Sequence, residues 1–254
     1  MADLWQMLAF TPAQALVLTF VMFCAAIVRG FAGFAQSALV MATAATVVPP
    51  VELIPMLWFQ EMAASLVMAR GGWRDADRGT TALLVAGNWT GWPVGLALTT
   101  ALPTSSSSLT ALVIILALAV LQLVRLRIPG LHTRLGTLVS GFVAGIASGL
   151  AHVGGMVVAL FVLSQDGAAR SMRGTLVLYL FVGSFGSLIY LAVFGVMTQT
   201  ALIRGIFLIP VTLIGVWLGT QAFSPRWEPY YRPFCLCLLI GLAAFGLLRL
   251  ALAG

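Results

Sequence analysis

The sequence predicts an all-α polytopic membrane protein built from two inverted-topology repeats, each opening with a broken-helix hairpin. Three observations carry that expectation. The 254 residues are 61% hydrophobic and only 8% charged, with mean hydropathy +1.07, too little polar surface to cover a water-soluble globule. Apolar runs of about 17 to 25 residues recur along the chain, each able to cross a hydrocarbon core of roughly 30 Å as a helix, whereas the short alternating strands of a membrane barrel are missing. Two stretches rich in small and polar residues, Arg29 to Val40 and Gly141 to Val157, interrupt those runs. Each glycine there weakens a helix by about 1 kcal/mol relative to alanine, so both stretches read as places where helices break.

Taken in order, apolar segments run from about Ala13 to Val28, Phe31 to Val48, Leu53 to Ala69, Thr81 to Leu102 and Leu109 to Val124. A second series runs from about Leu135 to Ala151, Val153 to Ser164, Thr175 to Val196, Ala201 to Phe223 and Pro233 to Leu250. The polar stretch Arg125 to Arg134 divides them, giving residues 1–127 and 128–254 as the repeats of one integrated transmembrane domain. Offsetting the chain by 119 places Gly30 on Gly149, Ala35 on Gly154 and Ser65 on Ser184. An offset of 124 places Gly91 on Gly215, Gly95 on Gly219 and Arg125 on Arg249, and the order is collinear. The paired GxxxG segments at 91–95 and 215–219 suit close helix packing.

The formal charge of +6 comes from 13 basic residues, all arginine, against 7 acidic ones. That excess matches the basic bias of cytoplasmic loops and implies no nucleic-acid partner. Arg70, Arg74 and Arg78 share one loop and Arg125, Arg127 and Arg134 another, which places both inside. If each broken region is a hairpin, Arg170, Arg173, Arg226 and Arg232 also fall inside, leaving Arg204 and Arg249 outside. An extracytoplasmic N-terminus and oppositely oriented repeats follow. The N-terminal MADLWQMLAF lacks a basic n-region and is taken as mature sequence. Cys24, Cys235 and Cys237 lie in apolar runs and read as small buried thiols.

Opposed broken helices present half-helix N-termini to a shared site, and such a site attracts anions. Gly30, Gly33, Gly149, Gly154 and Gly155 would let backbone approach a ligand. Gln36, Ser37 and His152 would add side-chain hydrogen bonds; the alternatives are a helix–helix hydrogen bond for Gln36 and a carbonyl-satisfied ring for His152. Arg29 matches an anion in charge and fork geometry, or is an interfacial arginine that snorkels; Arg173 and Arg204 share that ambiguity. Glu61 lies mid-run, where an ionisable group faces a cavity or an ion pathway, so it is the candidate for proton coupling, the alternative being a permanently protonated or arginine-paired carboxyl. Asn88, Trp89 and Trp92 add polar and aromatic character to the next segment, the tryptophans reading as interface anchors. No catalytic constellation, metal-ligand set or cofactor motif is visible, so the chain reads as a non-enzyme.

These residues resemble the TauE/SafE family of small membrane proteins that export sulfite and organosulfonates, whose two halves each open on a glycine-rich stretch. The first copy here reads Gly30-Phe-Ala-Gly33-Phe-Ala35-Gln36-Ser37 and the second Gly149-Leu-Ala-His152-Val-Gly154-Gly155-Met156. Ala35, Gln36 and Ser37 in the first, and His152 and Met156 in the second, stand where that pattern has glycine. The resemblance implies a multi-pass protein of the cytoplasmic membrane exporting a small anion: sulfite, a sulfonate or a related organic acid. The residues themselves suggest alternating access driven by an ion gradient, with protons as the coupling ion. A cation or metal carrier and a non-transporting intramembrane assembly protein are the alternatives, and a homodimer is compatible with either.

Overall fold

A computed structural model describes residues 11–45, 48–123, 133–165, 167–224, 226–231, 233–234, 237–238, 241 and 248. Among them are nine α-helices and no strands: α1 (Pro12–Ala32), α2 (Gln36–Ala44), α3 (Pro50–Asp75), α4 (Arg78–Ala101), α5 (Thr104–Leu123), α6 (Arg134–Ala151), α7 (Gly154–Leu163), α8 (Ala169–Val193) and α9 (Gln199–Ala222). The decapeptide at the N-terminus, Arg125, Arg127, Arg232, Cys235, Arg249, most of the expected last span and the boundary at 127/128 lie outside the described residues. Helices α1, α3, α6, α8 and α9 are long and apolar enough to cross a membrane. Their outer faces carry exposed Leu16, Phe20, Leu135, Ile189, Val193, Ile214 and Trp217, an apolar perimeter suited to lipid. The protein is thus a multi-pass membrane protein. Cys24 and Cys237 sit on the exposed surface, correcting their reading as buried thiols: the apolar runs holding them face outward there.

Local chemistry explains the helix ends. Thr11 and Gln14 form a reciprocal capping box ahead of Pro12 at the start of α1, satisfying N–H groups that have no intrahelical partner. Asp77 caps α4, accepting from Thr80 N at 3.1 Å and Thr80 Oγ1 at 2.7 Å. The Thr80 hydroxyl first, then the Thr80 and Gly79 amides, hold its carboxyl below the usual carboxylate range against partial burial. Pro93 lies inside α4 and cannot bond the carbonyl four residues back. That carbonyl, on Trp89, instead accepts from Tyr190 Oη at 2.7 Å.

Packing crosses between the two halves of the chain. The closest pairs are α4 with α6 and α1 with α9. Gly87, Gly91 and Gly95 of α4 face α6 backbone to backbone, and a Cβ at each would lie 2.6 Å from Phe142 N, 3.0 Å from Ile146 N and 3.0 Å from Gly149 Cα. On α9, a Cβ at Gly215 or Gly219 would lie 3.3 Å from Ile27 N or 2.9 Å from Gly30 Cα. Both pairs are parallel, and the second reproduces the first at the offsets 124 and 119. Helices α3 and α8 run antiparallel: Trp58 Nε1 donates to Ser184 O at 2.8 Å, while Gly72 abuts Val177. The basic α3–α4 connection meets the start of α8, where Asp77 N donates to Thr175 Oγ1 at 3.1 Å. Arg204 pairs with Glu52 at 2.8 Å at the opposite end of α3.

Candidate functional site

Both expected breaks are present, and they touch. Helix α1 ends at Gly33 in the left-handed region, φ 85°, and α2 starts after Ala35, also left-handed at φ 78°. Helix α6 ends at His152, left-handed at φ 55°, and α7 starts after Val153. A Cβ on Gly155 would lie 3.8 Å from Phe34 Cβ, so the first turn of α7 adjoins the first break. No side chain caps α2 or α7, leaving their first-turn N–H groups as a source of partial positive charge.

The carbonyls exposed where α1 stops are met by side chains from elsewhere. Arg29 Nη1 donates to Gly33 O. Arg173 on α8 donates from Nε to Phe31 O at 2.9 Å and from Nη2 to Gly30 O, and Tyr231 Oη donates to Ala32 O at 2.7 Å. Arg173 also lies over the Phe223 ring, Cζ to centroid 4.4 Å. At the second break a hydroxyl suffices, Thr99 Oγ1 donating to Gly149 O at 2.9 Å. These bonds answer the need of buried carbonyls for partners where no helix continues.

Glu61 is the hub. It is 6% exposed on α3; its Oε1 lies 3.0 Å from Arg29 Nη2 and its Oε2 accepts from Ser37 Oγ at 2.8 Å. Arg29 is fully buried and also donates from Nη2 to Ser65 Oγ at 2.9 Å. It therefore does not snorkel, since Ser65, Glu61 and the Gly33 carbonyl hold its head inside the protein, and Glu61 is an arginine-paired carboxyl. Removing either partner of such a buried pair costs about 3–5 kcal/mol because the survivor stays charged and unpaired. Gln36 Nε2 reaches across to Thr212 Oγ1 on α9 at 3.4 Å, and Thr212 Oγ1 donates to Gln60 Oε1 at 2.7 Å. Gln36 thus makes the helix–helix bond, yet its buried Oε1 has no hydrogen-bond partner.

A polar cavity opens beside Glu61, lined by Asn88, Trp92, Ser148, His152, Gly155, Tyr179, Ser184 and Ser187 among others. His152 Nδ1 is enclosed without a hydrogen-bond partner, so no carbonyl satisfies it. Trp92 is 2% exposed and stacks on Tyr190 with ring centroids 6.1 Å apart; it is a cavity wall rather than an interface anchor, because its helix is buried against α6. Of the expected site residues, Glu61, His152 and Gly155 line the cavity, and Arg29 and Ser37 touch it through Glu61. Gly30 and Gly149 instead lie in the α1–α9 and α4–α6 crossings, Gly33 packs on Arg173, and Gly154 packs on Ala144 and Ser148. Ser148, Tyr179, Ser184 and Ser187 are wall residues that sequence reasoning did not single out. A signal existed, since the offset of 119 carries Arg29 onto Ser148, Gln60 onto Tyr179 and Ser65 onto Ser184: ionic chemistry sits in one half and neutral hydrogen bonding in the other.

A family model described as sulfite exporter TauE/SafE matches residues 18–246. No curated protein and no solved structure matches the chain. With a match over that much of its length, and with apolar helices and exposed apolar faces around a polar centre, the chain is a membrane transporter of the sulfur-anion type and belongs to the sulfite exporter TauE/SafE family.

Proposed function

We propose that this protein is a secondary transporter that exports sulfite, a sulfonate or a related small organic acid across the cytoplasmic membrane by alternating access, with protons as the coupling ion. The observation that carries the proposal is the buried Arg29–Glu61 pair set between two helix breaks and against a polar cavity. Arg29 supplies the charge that makes an anion tolerable there, while Ser37, Gln36, His152 and the open N–H groups of α2 and α7 supply hydrogen bonds. Glu61 is the proton-handling group: a carboxyl that accepts a proton releases Arg29 to the anion. The reciprocal α1–α9 and α4–α6 crossings and the antiparallel α3 and α8 support two halves of opposite orientation that rock about the breaks. A metal reading would rest on Glu61 and His152 at the same cavity, but Arg29 already balances the Glu61 charge.

Flux of labelled sulfite in proteoliposomes under an imposed pH gradient tests this. The parent should accelerate when the gradient is applied, and Glu61→Gln should lose that response. An unchanged response in Glu61→Gln would remove the coupling role.

A further inference from the structure

Among the described residues the first break is bound from outside far more heavily than the second. The four consecutive carbonyls Gly30 to Gly33 each accept from a side chain, and three of those bonds come from Arg173 on α8 and from Tyr231. Around them Phe31 meets Phe223, Tyr231 and Phe234 with ring centroids 5.8, 6.3 and 4.7 Å away, an aromatic plug on which the Arg173 guanidinium rests. At the second break the Thr99 hydroxyl reaches Gly149 O and Leu150 O from a helix already clasped to α6. Arg173 by contrast crosses a loose boundary, since α8 packs on α3 and α4 and hardly on α1. The plug also lies between the site and the basic end of the molecule. Gly33 adjoins Arg173 and Val177, and Val177 abuts Gly72 near the end of α3. The cavity-wall residues Tyr179, Ser184 and Ser187 lie farther along α8, level with Glu61.

We propose that Arg173 is the latch of a gate on the basic side of the site: it holds the first break closed, and opening that side requires it to release Gly30 O and Phe31 O. The inference rests on the transport reading above and adds the residue that must let go. Two features mark a latch rather than a fixed brace. Arg173 is partly exposed and, among the described residues, holds carbonyls and a ring rather than a carboxylate, Asp75 being paired with Arg74. A guanidinium bound to neutral acceptors within reach of water is released more readily than Arg29, whose partner is the buried Glu61 carboxylate. Gly33 and Ala35 are both left-handed, so Phe34 sits inside a ready hinge where α1 and α2 can change their angle. Movement there reaches the site through the backbone, because Gly33 O holds Arg29 and Ser37 at the start of α2 holds Glu61. Arg173 bonds neither member of the buried pair; it is a positioning residue that acts through the break.

Sided thiol labelling of the full chain in proteoliposomes tests this. In a background without native cysteines, Ser37→Cys places a reporter beside Glu61, and a small charged methanethiosulfonate is supplied from one side at a time; the basic side is the one from which a cysteine at Ala76 reacts. The reporter should react slowly from the basic side while Arg173 is present. Arg173→Leu should raise that rate at least about tenfold, the population shift expected when hydrogen bonds holding one state are lost, and should leave the rate from the opposite side unchanged. Tyr231→Phe keeps the ring, loses only the bond to Ala32 O, and should raise the basic-side rate severalfold; it decides if Arg173→Leu does not fold. A basic-side rate that neither variant changes overturns the inference, as does a rise that is equal from both sides, which is what general loosening produces. Labelling needs no transported solute, so a side-specific rise without flux of labelled sulfite or methanesulfonate removes the transport reading and keeps the latch, whereas flux without that rise removes the latch alone.

Discussion

At residue scale the most telling position is His152. A non-glycine residue in the left-handed region costs roughly 1–2 kcal/mol, and its counterpart in the first half, offset by 119, is Gly33, which adopts the same conformation without that cost. The strain persists beside the cavity and with an unpartnered Nδ1, the pattern of a side chain kept for what it does. His152→Gly keeps the backbone conformation while deleting the ring. Sulfite flux in this variant should fall at least severalfold while its melting temperature in detergent holds or rises; normal flux would show the ring to be dispensable. Glu61 could be read from the sequence because a carboxyl in the middle of an apolar run is too costly to leave facing lipid and must turn toward a cavity or a partner. Its partner could not, since nothing in the order of residues says that Arg29 turns inward to Ser65 rather than outward to lipid. Gly30 and Gly149 show the same limit: close approach of a ligand and close approach of a helix both demand glycine, and only position tells them apart.

At element scale the glycine rows of α4 and α6 act as a clasp. A Cβ at Gly145 would lie 2.9 Å from Trp92 N, with backbone that has nowhere to move. Gly71, in the last turns of α3, has nothing within 4 Å of the same construction. Thermal unfolding in detergent should therefore separate the two substitutions by sign: Gly145→Ala destabilises by about 1–3 kcal/mol through overpacking, and Gly71→Ala stabilises by up to about 1 kcal/mol through helix propensity. The clasp also explains why α4 is not among the helices apolar enough to span by composition: its buried stripe is glycine with Asn88 and Trp92, because contact with α6 replaces contact with lipid. The breaks were legible as glycine clusters, but their edges were not. Ala35 adopts φ 78° although it is not glycine, which delays α2 to Gln36, later than a run beginning at Phe31 suggests.

For the whole molecule, the contacts collect Arg70, Arg74, Arg78, Arg170 and Arg173 at one end and leave the Arg204–Glu52 pair at the other. The basic end should be cytoplasmic. In a variant without its native cysteines, a cysteine at Ala76 should react with a membrane-impermeant thiol reagent only when the cytoplasmic side is opened, and one at Gly195 from outside; the reverse pattern would invert the orientation. The glycines of the α4–α6 and α1–α9 crossings stood out in the sequence because close helix packing demands glycine, whereas the cavity walls from α8 left only serines and a tyrosine, common residues with many uses. The crossing of partners between halves has a consequence for how the chain is made. Helix α1 meets α9 only after nearly all of the protein has been synthesised, so its clasp must stay vacant in the membrane meanwhile. Arg29 need not wait, because Glu61 and Ser65 both arrive with α3. The chain thereby neutralises its most hazardous charge early in insertion and postpones its tightest packing to the end.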